Sequence, residues 1–301
     1  MLVEAQSAYG QVITALVTPF TPEGALDRVA AADLAADLAR RGSDGLVVAG
    51  TTGESPTLSE REKLDLCQAV RNAVDGRSFV WLNTGTADTA GSIRLTAQAR
   101  SAGAQGIMAV VPYYSKPPQQ GLIEHFQAIG QATDLPMMVY NVPGRTATNL
   151  LPSTLEAVAR STPNLVAVKE ASHDLEQAAE IRRLLPPPFV LYSGEDGLTL
   201  PMLAIGGDGV VSVASHLVPE RIREMMDRFW AGRVADATRI HLALLPLVRA
   251  LFVSANPIPV KYALGLVGRS VGRPRPPLCE LDDAGAALVR QALQDCGLVR
   301  S

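Results

Sequence analysis

Cysteine is scarce in this chain: three residues in 301, at Cys67, Cys279 and Cys296, none close enough to another to form a CxxC pair. An odd, scattered set excludes a disulfide framework and a cysteine-based zinc site, and it suits a reducing compartment. Aromatic residues are also few, at 5%, and no basic run interleaves with them. Together with a net charge of −3, this excludes the electrostatic footprint of a nucleic-acid binder. No apolar stretch approaches the roughly 18 residues of a membrane-spanning helix. The N-terminal "MLVEAQSAYGQV" has neither a basic n-region nor an apolar h-region. The four histidines (His125, His173, His216, His241) lack ligand spacing, so no metal is expected. His125 and His241 lie within helical patterns and read as surface or packing residues. The expectation is a cytoplasmic protein without nucleic-acid or membrane partners.

What is present is apolar sequence in a repeating order. Hydrophobic residues make up 47% of the chain, enough for a sizeable core. β-Branched apolar runs recur at 12–20, 45–50, 79–85, 106–114, 136–143, 165–172, 189–196 and 209–217. They are continuous rather than alternating, as strands covered on both faces are. Helical stretches separate them. Ser59 and Glu62 form a capping-box pattern, Asp88 is an N-cap with Gly103 as a stop, and Pro186, Pro187 and Pro188 end another helix. Strand and helix alternating in this way require parallel pairing, and the closed solution is an α/β (β/α)8 TIM barrel. An open doubly wound sheet is the rival, but no GxGxxG follows the first strand. From residue 219 onward the pattern is helical only, giving a barrel over 1–232 and a small C-terminal helical appendage over 233–301. Within the latter, "GRPRPPL" (272–278) reads as a proline-stiffened connector.

Barrel enzymes work at the carboxyl ends of their strands. Those ends carry "GTTGES" (50–55), "PYY" (112–114), "YNVPGRT" (140–146), "KEAS" (169–172) and "SGED" (193–196). Lys169 follows a strongly apolar run. It is either a snorkelling surface amine or an amine whose desolvation leaves it neutral and nucleophilic. Glu170 points to the opposite face if the strand persists. Tyr140 and Tyr114 are packing residues or proton shuttles. "GTTGES" is an ordinary turn or an anion cradle, in which Thr51 and Thr52 add hydroxyls to exposed N–H groups. Arg145 is a surface arginine or a bidentate grip for a carboxylate. The glycines of "IGGDG" precede the eighth run and so lie at the opposite barrel face. Glu195 and Asp196 after the seventh would repel a phosphate.

Five ordered segments, "GTTGES", "PYYSKP", "YNVPGRT", "VKEAS" and "ANPIPVKYAL" (255–264), resemble those of the class I aldolase family that contains dihydrodipicolinate synthase and N-acetylneuraminate lyase. The resemblance runs essentially end to end. It implies a cofactor-free barrel enzyme that binds pyruvate covalently, with Lys169 as the Schiff-base lysine and Tyr140 as the proton shuttle above it. Thr51 and Tyr114 complete a proton relay, with Tyr114 crossing a subunit interface in a homodimer or homotetramer. Thr52 holds the pyruvate carboxylate, Arg145 orients the aldehyde substrate, and Gly194 and Val211 offer backbone groups.

The family's sugar-acid lyases usually lack "GRT" after the tyrosine and carry serine for one loop threonine. The motifs here therefore point to the branch that condenses pyruvate with aspartate semialdehyde. Another pyruvate aldolase, such as one for 2-keto-3-deoxy acids, is the alternative, and a non-catalytic keto-acid-binding barrel is a third reading. The positions matching the family's lysine-effector site are Glu60, Lys63, Ala87 and Gly91, with only Tyr113 retained, which implies weak or absent lysine inhibition.

Overall fold

The eight apolar runs become eight parallel strands in the computed structural model of the chain, which describes residues 8–300. They are β1 (Val12–Ala15), β2 (Gly45–Val48), β3 (Phe79–Asn83), β4 (Gly106–Val110), β5 (Met137–Asn141), β6 (Leu165–Glu170), β7 (Val190–Ser193) and β8 (Gly209–Ser212). Each pairs with the next, and β8 returns to β1 through Ile13 opposite Val211. The barrel is closed, as the alternation of strand and helix predicts. The strands are shorter than the apolar runs, because the carboxyl-terminal part of each run leaves the ladder to form the mouth loops.

Local signals place the helices. Ser59 accepts from the Glu62 N–H while the Glu62 carboxylate accepts from the Ser59 N–H, a complete capping box at the start of helix Glu60–Val74. Asp88 accepts from the Ala90 and Gly91 N–H groups to open helix Thr89–Ala99. Helix Leu175–Leu184 ends just before the three prolines, whose missing N–H groups cannot extend it.

Side chains alternate between two cores. One fills the barrel and includes Ile13, Val47, Trp81, Met108, Met138 and Tyr192. The other lies between strands and helices. Gly106 makes room in the barrel, since a Cβ there would stand 2.5 Å from the Trp81 ring. The register of β5 with β6 shifts by one residue: Met137 faces Leu165, but Met138 faces Ala167. Because the side-chain period is two, this irregularity decides which face each later residue of β6 meets. It sets Lys169 level with Tyr140.

Beyond helix Pro219–Trp230 lie helices Val234–Leu251, Ile258–Leu266 and Asp283–Asp295. The proline-rich stretch between the last two does more than connect them. The Phe20 N–H donates to the Val271 carbonyl at 3.0 Å. The Arg275 guanidinium reaches the Glu62 carboxylate at 2.6 Å. Stiffness lets this segment bridge from the appendage to the barrel mouth.

Candidate active site

The mouth is built around the end of β6. Lys169 is only 6% exposed, and its Nζ stands 4.1 Å from the centroid of the Tyr140 ring. Burial pulls its amine down to about 8 against the opposing charges of Glu195 and Asp196, with Arg145 adding to the fall. A large neutral fraction therefore exists near physiological pH. Burial pushes the Tyr140 phenol up to about 12, so it keeps its proton as a donor. Thr51 shares a side-chain hydrogen bond with that phenol. Lys169, Tyr140 and Thr51 are thus brought together.

Glu170 turns away from the barrel interior, as strand alternation predicts. Its carboxylate accepts from the Asn141 side chain at 3.0 Å, the Ser172 N–H at 2.7 Å and the Gln177 amide at 3.2 Å. Burial pushes this carboxyl up while these hydrogen bonds support its charged form, and it forms no pair with its neighbour Lys169.

Above Tyr140 opens a cavity of about 220 Å³, walled in part by Thr51, Asn83, Tyr113 and Arg145. Arg145 sits on the short helix Pro143–Thr146 and forms no ion pair among the described residues. A guanidinium so placed is available to a ligand carboxylate.

The "GTTGES" loop is shaped by close contacts. Ala49 and Glu54 both take left-handed backbone angles, with φ of 54° and 57°. The Thr18 hydroxyl donates to the Gly53 carbonyl at 2.6 Å. Within the loop, the Glu54 N–H donates to Thr51 and the Ser55 N–H to Gly50. The N–H groups of Thr51, Thr52 and Gly53 donate to no backbone carbonyl among the described residues. Buried donors without partners favour an anion.

At the other side of the mouth, Gly194 donates its N–H to the Glu170 carbonyl at 2.7 Å. What it leaves for a ligand is its carbonyl and space, for a Cβ there would press on Lys169 Cε at 3.2 Å. Val211 lies on β8, fully inside the barrel core. Asp196 accepts from the Val213 and Ala214 N–H groups at 2.9 and 3.1 Å and from the Ser212 hydroxyl. The protein's own carboxylate therefore fills the place after β8 where many barrels seat a phosphate.

Tyr114 lies apart from this cluster. Its side chain is 93% exposed, on a backbone with φ of 74°, while its neighbour Tyr113 lines the cavity. The histidines take structural or peripheral positions. His216 accepts from the Val17 N–H through Nε2 and meets the Val213 carbonyl through Nδ1. His125 is buried, its Nδ1 2.8 Å from the Thr89 hydroxyl. His173 stands 3.4 Å from Glu195 at the mouth.

A family model of the dihydrodipicolinate synthetase family matches residues 8–296. The chain belongs to the dihydrodipicolinate synthetase family. A relative within that family, the 4-hydroxy-tetrahydrodipicolinate synthase of Thermosynechococcus vestitus, is 54% identical over 97% of this chain and 99% of its own. Among solved structures, the dihydrodipicolinate synthase of Cyanidioschyzon merolae with lysine bound is 48% identical, with a TM-score of 0.94 and coverage of 97% and 99% of the two chains. A monomeric dihydrodipicolinate synthase variant is 38% identical, with a TM-score of 0.94 and coverage of 98% and 99%.

Sequence reasoning missed several mouth residues of this family member. Asn83 ends β3 and donates to the Ala49 carbonyl at 3.1 Å, so reading strand ends would have found it. Asn256, Lys261 and Arg275 also reach the "GTTGES" loop, from more than 200 positions away, and no local pattern signals that.

Proposed function

We propose that the chain is a 4-hydroxy-tetrahydrodipicolinate synthase, joining pyruvate to aspartate semialdehyde in lysine and diaminopimelate biosynthesis through an imine on Lys169. The observation that carries this reading is the buried Lys169 amine, held beside Tyr140 and drawn down to about 8. Neutral Nζ attacks the keto carbon of pyruvate, and the keto oxygen takes a proton from the Tyr140–Thr51 relay. Loss of that oxygen as water leaves the imine. Removal of a methyl proton gives an enamine, whose carbon bonds to the aldehyde carbon of the second substrate as the aldehyde oxygen is protonated to a hydroxyl. The new substrate's amine then attacks the imine carbon and expels Lys169, closing the ring. Thr52 and the loop N–H groups hold the pyruvate carboxylate, and Arg145 holds that of the aldehyde. Val211 and the Gly194 carbonyl complete the wall.

Tyr114 belongs to the relay in this reading. Its exposure and left-handed backbone fit a side chain that completes the site of a second copy, in a homodimer or homotetramer. The enzyme works in the cytoplasm. Borohydride reduction in the presence of pyruvate tests the central claim. A pyruvyl adduct on Lys169, absent in Lys169→Arg, is expected. No adduct on the wild-type chain overturns the proposal, and a panel of aldehydes then distinguishes the condensation from the related aldolase reactions. Tyr114→Phe should slow turnover while leaving the single-chain fold intact.

A further inference from the structure

Thr52 is almost fully buried, and its hydroxyl oxygen accepts a hydrogen bond from the Asn256 side-chain amide at 2.9 Å. Asn256 comes from the far end of the chain, just before helix Ile258–Leu266. It is itself 7% exposed, and its Oδ1 has no partner among the described residues. The two segments are locked together on a second line. Lys261, on that helix, places Nζ 2.5 Å from Glu54 Oε1, with both side chains buried. The Arg275 N–H donates to Glu54 Oε2 at 2.8 Å. Glu54, two residues after Thr52 and with a left-handed φ of 57°, is thus tied through its carboxylate to the same distant part of the chain as Thr52.

A hydroxyl has one proton and two acceptor sites. An amide NH2 that fills one acceptor site cannot also receive the hydroxyl proton, so that proton must point elsewhere. That leaves the proton for another acceptor, on a loop whose Thr51, Thr52 and Gly53 N–H groups donate to no backbone carbonyl among the described residues. We infer that Asn256 is a positioning residue for keto-acid binding: it holds the Thr52 hydroxyl as a donor, so that the loop presents only donors to the substrate carboxylate. This rests on the reading above, in which Thr52 binds that carboxylate. It also gives the "ANPIPV" segment a role that its sequence does not display.

The test compares Asn256→Asp with Asn256→Ala and Asn256→Ser by borohydride trapping, titrating pyruvate and, separately, the uncharged pyruvamide. In Asn256→Asp the introduced carboxylate is nearly the same shape but only accepts. It captures the Thr52 proton and turns a lone pair toward the substrate. The half-saturating pyruvate concentration should rise roughly tenfold to a hundredfold, the range for losing a hydrogen bond to a charged group. Asn256→Ala should raise it less. The preference for pyruvate over pyruvamide should collapse in Asn256→Asp and largely survive in Asn256→Ser, which retains a donor.

Three outcomes overturn the inference. An unchanged half-saturation in Asn256→Asp means that Thr52 donates to Asn256 rather than accepting from it. Equal losses for pyruvate and pyruvamide in all three variants mean a structural role alone. A drop in pyruvate affinity that tracks only the melting temperature means the same. Absence of an adduct on the wild-type chain instead defeats the parent reading, so the two failures are distinct.

Discussion

The pH dependence of imine formation follows directly from the burial of Lys169. An amine of pKa about 8 is about 9% neutral at pH 7, whereas one at the ordinary 10.5 is about 0.03% neutral. The folded barrel therefore offers ~300-fold more nucleophile than a surface lysine would. Tyr140, at about 12, stays protonated throughout the working range, so it does not mask the lysine titration. The assay mixes enzyme with subsaturating pyruvate, quenches with borohydride at set times and quantifies the peptide carrying Lys169. The initial rate should climb about tenfold per pH unit below pH 7 and level off above about pH 8. Glu195→Gln removes an opposing negative charge, so the plateau should begin at lower pH. A rate that keeps climbing through pH 9 and 10 would show an ordinary lysine and refute the reasoning. So would a Glu195→Gln plateau displaced upward.

Arg145→Ala should slow pyruvate trapping only modestly, because the Lys169 amine rises when the neighbouring positive charge is lost, while lowering kcat/KM for the aldehyde roughly tenfold to hundredfold, as loss of a charge-assisted pair predicts; equal losses in both measurements contradict the assignment. Lys169→Met should abolish adduct formation yet stabilise the fold. The folded lysine value lies below the unfolded one, so wild-type stability rises as pH climbs from about 8 to 10.5. The variant's advantage should therefore be about 3 kcal/mol greater at pH 7 than at pH 10.5 by urea unfolding, and a pH-independent difference rules this out. Free lysine at submillimolar concentration should leave turnover unaffected, because Lys63 carries the effector's own charge and Gly91 supplies no carboxylate; half-inhibition in that range would contradict this.

Much of the architecture was legible because burial writes itself into composition. Strands covered on both faces must be apolar throughout, and the Ser59–Glu62 box and the Asp88 cap act within one helical turn. The same logic identified Lys169, since an amine at the end of an apolar strand contradicts its surroundings. Arg145 and the "GTTGES" loop stood out through residue type at strand ends. Tyr114 was readable as a residue at a strand end, but the structure leaves its side chain exposed and apart from the Lys169 cluster, a placement that residue type alone does not signal.

The sequence by itself determined that eight strands alternate with helices and that an amine, two phenols and a hydroxyl-rich loop stand at one end of them. Only the tertiary structure decided which of these meet. The one-residue shift between β5 and β6 brings Lys169 level with Tyr140, and local sequence cannot announce a register set by packing against neighbours. The "GTTGES" loop is likewise completed by Asn256, Lys261 and Arg275, joined to it by contacts that span more than 200 residues. Periodicity reports what each segment buries, but a closed barrel chooses the partners.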